Sequence, residues 1–286
     1  MKKINRRAFL GKSAIGVGAA LTLSQIPTFM AKASPKINMP IGFQTFPIRD
    51  MLAKDFGGTL KTMAGFGYKI CEMCSPPGYL QAGFSFLEHT KAADIKKTIN
   101  DAGLSCPSCH FTFTELNDKL DQSIDFAHEL GLSQMVCSSF WLPATATIKD
   151  YQDACDKLNK AAVKIKAAGF EAGFHNHDME FKKVDGVLIY DAILDRLDAN
   201  LVKMQFQTQV ITLGFKAADY FTKYPGRFIS SHLSDWTADK KEAIIGQGII
   251  DWKEYFGATK KGGIKNIFVE MGFEKFKDSA AYIKSL

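Results

Sequence analysis

Residues 168–181 read AGFEAGFHNHDMEF. A helical stretch ends at Ala168, Gly169 follows, and a run of small and apolar residues leads to His175. His175, His177, Asp178 and Glu180, with Asn176 among them, then fall within six positions. Glycine suits the first junction because the residue after a helix often takes a left-handed backbone, which costs a residue without Cβ little. A strand that is apolar along its length and titratable at its carboxyl end fits a parallel sheet with its chemistry at that end.

The junction recurs. Helical stretch, glycine, apolar residue and strand-like run appear again at FGYKICEM, AGLSCPSC, LGLSQMVCSS, PGRFISSHL and GGIKNIFVEM. With Gly169, the glycines are Gly67, Gly103, Gly131, Gly226 and Gly263, spaced by 36, 28, 38, 57 and 37 residues. The double-length gap holds one more strand, LVKMQFQTQVI at 201–211, and IGFQTF at 41–46 supplies the first. Eight strands, each followed by a helical segment, imply an α/β fold closed as a (β/α)8 TIM barrel in a single domain. A doubly wound open sheet is the alternative. The lack of a Gly-rich phosphate loop after strand 1 counts against it, and Gly246-Gln247-Gly248 reads as a loop. Along TELNDKLDQSIDFAHELG, Leu116, Leu120, Ile124, Ala127 and Leu130 share one helical face. Thr112-x-x-Glu115 and Asp251-x-x-Glu254 read as helix starts.

Residues 1–33 have a basic start, a weakly apolar stretch and a closing Ala31-Lys32-Ala33, the pattern of a cleavable signal peptide. Arg6-Arg7 before Phe9-Leu10 resembles a twin-arginine signal, which implies an exported, periplasmic protein, or an envelope-associated one if the segment is retained. The apolar core is too short to predict stable membrane insertion. Six of the 36 basic residues and none of the 30 acidic ones lie in this segment, so residues 34–286 carry 30 of each. That balance argues against nucleic acid as a partner. Cys71-x-x-Cys74 and Cys106-x-x-Cys109 imitate zinc-ribbon spacing, but both pairs lie in strand-like runs, where residues i and i+3 face opposite ways. Buried thiols are the preferred reading, with a cross-strand disulfide as the alternative.

The strand ends of such a barrel form its active site. They carry Gln44, Glu72, His110, His175 and His177 with Glu180 beyond, Gln205, Gln207 and Gln209, His232, and Glu270. The glycine ends carry no matching set. Glu270 lies within the apolar run IFVEM, where a carboxylate needs a cation, a metal or strong donors. The three glutamines alternate onto one face. Phe140 and Trp141, at the end of strand 4, suit core packing or a platform for a sugar ring.

These stretches, with IGFQTFPIRDML, YPGRFISSHLSDW and GQGIIDW, resemble the xylose isomerase-like TIM barrels, the sugar phosphate isomerase/epimerase superfamily, over the whole chain after the signal. The resemblance implies one divalent metal held by Glu, Asp, His and Glu from strands 5 to 8, and proton transfer beside a sugar carbonyl through a metal-stabilised enediolate. Carried over, the metal set is His175, Gln207, His232 and Glu270, departing from the pattern at strands 5 and 6. One anionic ligand in place of three leans toward Mn, Co, Ni or Zn over Mg. Glu270 with His175, His177 or Glu180 is the expected acid–base pair, since histidine titrates near neutrality. Gln44, Glu72, His110, Trp141 and Gln205 are the expected substrate-binding residues. The expected activity is isomerisation, epimerisation or a related elimination or hydration of a sugar or keto-sugar, with a small carbohydrate as the substrate and the oligomeric state left open. A non-catalytic sugar-binding barrel and an endonuclease IV-like hydrolase are the rivals.

Overall fold

The protein's structure, a computed structural model, describes residue 37 and residues 39–286. The signal-peptide reading falls outside the described residues. Eight strands form the barrel: β1 (Ile41–Gln44), β2 (Ile70–Cys74), β3 (Ser105–Phe111), β4 (Gln134–Cys137), β5 (Glu171–His175), β6 (Val202–Gln207), β7 (Phe228–Leu233) and β8 (Asn266–Val269). They close in sequence order, each parallel to its neighbours, with β8 paired to β1. The helices packed outside are α1 (Phe56–Phe66), α2 (Ala92–Asp101), α3 (Leu120–Leu130), α4 (Ile148–Ala167), α5 (Ile189–Arg196), α6 (Ala217–Lys223), α7 (Trp252–Gly262) and α8 (Phe276–Ser285). None of the described helices is long and apolar enough to cross a membrane.

The six junction glycines all have positive φ, between +68° and +101°. At such angles a Cβ is strained, so the repeated glycine marks where each helix turns back into the barrel. Along the strands, alternate residues divide between two environments. Phe43 of β1 packs edge-on to Tyr68 and Phe276, and Phe206 of β6 packs among Tyr190, Tyr220 and Phe221, in the layer between strands and helices. Gln44, Glu72, Ser108, Gln205 and Ser230 point the other way and bond to one another inside the barrel.

Three local expectations change. The helical stretch 113–130 is two helices, Phe113–Asp118 and α3, because Lys119 leaves helical geometry at φ −130°. Leu116, Leu120, Ala127 and Leu130 are still buried on one side. Strand 1 stops at Gln44, whose side-chain Oε1 accepts from the Phe46 amide and turns the chain. Strand 6 stops at Gln207, and Gln209 lies in the following 3-10 turn, so the glutamine ladder keeps two members. Thr112 and Glu115 form a reciprocal capping box, and the Asp251 carboxylate accepts from the Lys253 and Glu254 amides. All six cysteines are buried free thiols.

Candidate active site

The polar side chains inside the barrel form one network centred on Glu72, which is fully buried. Its Oε1 accepts from Ser108 Oγ at 2.6 Å and Gln205 Nε2 at 2.8 Å. Its Oε2 accepts from Gln44 Nε2 at 2.8 Å and pairs with His232 Nε2 at 2.5 Å, with His110 Nε2 at 3.2 Å. Gln205 also donates to Ser230 Oγ and meets His110 Nε2 at 2.6 Å through its Oε1. The donors and acceptors of Gln44, Glu72 and Gln205 are therefore spent on neighbours.

Above this floor, Glu270 is the most open carboxylate, its side chain 21% exposed. Its Oε2 takes two partners, Gln207 Nε2 at 2.5 Å and His232 Nδ1 at 2.9 Å, while Oε1 has none among the described residues. Asn176 Oδ1 accepts from the Gln207 amide at 3.2 Å and ties the mouths of β5 and β6 together. The imidazoles cluster: His175 lies 4.3 Å from His232 and 4.9 Å from His110, tilted to both, and 4.8 Å edge-on from His177, ring centre to ring centre. The Nδ1 atoms of His175 and His177 are buried without a hydrogen-bond partner.

Charge follows from these contacts. Burial opposes a charge on His232, yet Glu270 and Glu72 on its two nitrogens hold it up to about 10. Burial would raise Glu72, but His110 and His232 bring it down to about 2. Burial also pushes His110 below the usual histidine value, so the lasting cation beside Glu72 is His232. Glu270 is lowered against burial chiefly by His232. Burial and the like-charged His232 push His175 well down, and burial brings His177 to about 4, leaving both neutral near pH 7. The site holds two carboxylates, one imidazolium and neutral imidazoles with free lone pairs.

Glu180 and Trp141 stand at the rim. Glu180 accepts from Ser139 Oγ at 2.7 Å and from the His177 amide at 2.8 Å, and burial raises its carboxyl. Trp141 is 57% exposed, sits at φ +50° and lies 4.9 Å from the His177 ring. An exposed bulky residue in left-handed backbone is uncommon and tends to mark a functional rim.

One nitrogen each from His110, His175 and His232 lie within 4.8 Å of one another, a group able to hold a metal ion. This grouping brings in His110, expected to bind substrate, where Gln207 was expected as a ligand. Gln207 and Glu270 converge beside it through Glu270 Oε2. The unpartnered Nδ1 of His175 fits a cation, and neutral imidazoles are the donor class such ions take.

A family model described as xylose isomerase-like TIM barrel matches residues 60–286. The chain belongs to that family. A sugar phosphate isomerase/epimerase from Parabacteroides distasonis ATCC 8503 is 25% identical, with 91% of this chain and 98% of that one covered at a TM-score of 0.74. The IOLI protein with a zinc atom is 13% identical, covering 86% and 94% at 0.62. An AP endonuclease, family 2, from Brucella melitensis is 14% identical, covering 86% and 99% at 0.65. The last two share the fold. No curated protein matches the sequence.

Within this family's barrel, the strand-end residues expected from the sequence all lie at or just below the mouth. Gln44, Glu72, His110, Gln205, Gln207, His232 and Glu270 form one bonded network, His175 packs tilted against its His110 and His232 rings, and His177, Glu180 and Trp141 adjoin it at the rim. Ser108, Ser230, Ser139 and Asn176 were missed. Strand alternation carries the signal for two of them, since Ser108 precedes His110 by two residues and Ser230 precedes His232 by two.

Proposed function

We propose that this chain moves a proton on the carbon beside the carbonyl of a sugar or keto-sugar, giving isomerisation, epimerisation or a related elimination. The observation that carries the proposal is the pairing of a carboxylate and a free imidazole at one mouth. Glu270 has an oxygen without a protein partner, and His177 is a neutral base with an unpartnered nitrogen. Two bases at one mouth, one anionic and one neutral, suit proton abstraction, and the one that takes the proton can return it. Trp141 is the proposed platform for the ring, and Glu180 holds Trp141's loop and His177 rather than reacting. Gln44, Glu72 and Gln205 hold His232 and His110 rather than the ligand.

A divalent ion held by His110, His175 and His232 would polarise the carbonyl and offset developing negative charge, and its binding would displace a proton from His232, whose nitrogens otherwise both meet carboxylates. The imidazole-rich donors favour Zn, Co, Ni or Mn over Mg. The sugar phosphate isomerase/epimerase kinship supports a small sugar-type substrate. A phosphodiester hydrolase fits less well, because residues 34–286 carry equal numbers of acids and bases and so no net positive charge to draw a polyanion.

The test is solvent-deuterium incorporation into a panel of keto-sugars, followed by NMR with and without added Zn(II) or Mn(II). Exchange at the carbon next to the carbonyl is expected. Saturable sugar binding without exchange on any panel member would replace the enzyme with a sugar-binding barrel, the reading favoured by the Gln207 amide lying on Glu270. Export is part of the same proposal and rests on the signal-like pattern of residues 1–33, its route on Arg6-Arg7. Replacing both with lysine should retain the protein in the cytoplasm, and undiminished export of the double variant would refute a twin-arginine signal.

A further inference from the structure

Asp235 lies three residues past His232 and is fully buried, with no ion-pair partner among the described residues. Five N–H groups meet it instead. The amides of Trp236, Gly246, Gly248 and Ile250 donate at 2.9, 2.9, 3.1 and 3.3 Å, and Trp252 Nε1 donates at 2.8 Å. A buried carboxylate is tolerated when strong donors replace water, so the loop between β7 and α7 is wound on this side chain. The same loop forms a two-stranded ribbon, Asp235–Trp236 with Glu242–Ala243.

Two arms of the loop then reach the segment that carries Glu270. Glu242 Oε2 accepts from the Gly272 amide at 2.9 Å, two residues beyond Glu270, and lies 3.1 Å from Lys275 Nζ. The Ile245 amide donates to Ser279 Oγ at 3.1 Å, and that hydroxyl donates to Met271 Sδ at 3.2 Å. Gly246 presses against Tyr282 so closely that a Cβ would sit 2.4 Å from its ring. On its other side, the Glu270 amide donates to Leu233 O at 2.9 Å. The two residues after Glu270 are therefore held by the β7–α7 loop.

We propose that this loop, wound on Asp235, is a bracket that fixes the Glu270 carboxylate at its contact with His232, with Asp235 and Glu242 as positioning residues. The turnover arm of the test rests on the proton-transfer reading above. The spectroscopic arm does not.

Metal-free protein labelled with 15N-histidine reads the contact directly, since the six histidines give few ring signals and His232→Asn identifies one of them. Glu242→Ala should shift the His232 Nδ1 resonance and leave Nε2, which faces Glu72, near its original position. Glu242→Gln keeps an acceptor for the Gly272 amide and should restore the shift. Lys275→Ala removes its ion pairs with Glu242 and Glu274 but leaves the Gly272 amide on Glu242, and should not move the resonance. Ser279→Ala breaks the second arm and should move the same resonance, which keeps the test intact if Glu242→Ala does not fold. On an exchanged keto-sugar, Glu242→Ala should lower kcat by about tenfold, the effect usual for a group that orients a ligand or base, with KM unchanged and Glu242→Gln recovering the loss. An unmoved His232 Nδ1 signal in folded Glu242→Ala or Ser279→Ala would overturn the bracket. A shifted signal in a protein that turns over no sugar would keep the bracket and sink the enzyme reading alone.

Discussion

Gln207 and Glu270 show how one side chain sets the character of the site. The glutamine amide donates to Glu270 Oε2 at 2.5 Å, the same oxygen that meets His232 Nδ1. A neutral donor there supports the carboxylate beside His232 without adding charge of its own. Gln207→Asp would place a second anion in contact with Glu270, which repels it unless a proton or a dication intervenes. The variant should bind Zn(II) or Mn(II) more tightly while its metal-free form melts at lower temperature, both readable by calorimetry. Unchanged affinity would show that Gln207 does not face the ion. Glu270→Gln keeps the shape and removes charge and basicity, so deuterium exchange should fall by roughly a hundred to ten thousand fold, the usual weight of a general acid–base group. Exchange at the wild-type rate would move that role to His177 or His175.

At the scale of elements, the barrel was legible because its junctions obey a local rule. Each of Gly67, Gly103, Gly131, Gly169, Gly226 and Gly263 adopts positive φ, a backbone state the residue type announces. The break at Lys119 was hidden because the apolar spacing runs through it undisturbed, so Leu116 and Leu120 stay buried whether one helix or two carries them. The strand-end residues were legible one by one, but not their pairing. That Glu72 meets Gln205, 133 positions away, depends on the stagger of closed strands, which no local pattern encodes. The Asp235 loop was hidden for the same reason, since its donors are mostly backbone amides. Closure itself gives a prediction at Gly42. A Cβ there would lie 2.6 Å from Phe268 Cδ1 and 2.7 Å from both Ile267 O and Ile70 Cγ1. The carbonyl belongs to the β1–β8 ladder and cannot step aside, so Gly42→Ala should destabilise by about 1–3 kcal/mol or more, as overpacking does. A urea midpoint equal to wild type would show that the seam between β8 and β1 is looser than these contacts require.

Across the whole molecule, the buried network makes stability depend on pH from both sides, with signs that differ by residue. His177 is brought by burial to about 4 against an ordinary 6.5, so between those values the unfolded chain binds more protons than the folded one. Stability is then lost as pH falls from 6.5 toward 4, and His175, displaced the same way, adds to the loss. Glu72, at about 2 against 4.5, contributes stability above 4.5 that disappears as pH falls further toward 2. His232 runs the other way. Its folded value of about 10, held up against burial by Glu270 and Glu72, contributes fully below 6.5 and is lost as pH rises to 10. The metal-free protein should therefore be most stable near pH 6.5, with a falling limb on each side. On the alkaline limb the buried thiols of Cys74, Cys109, Cys137 and Cys155, all raised by burial, add a loss of their own, so the part that depends on Glu270 is what reports His232. Urea denaturation in steps from pH 4 to pH 10 should show the midpoint decline above neutrality. Glu270→Gln should flatten that decline by removing one of the two carboxylates that hold the proton on His232. A midpoint constant from pH 7 to pH 10 in the wild type would mean that His232 is neutral in the fold, and that Glu72 and Glu270 are not held by a buried imidazolium.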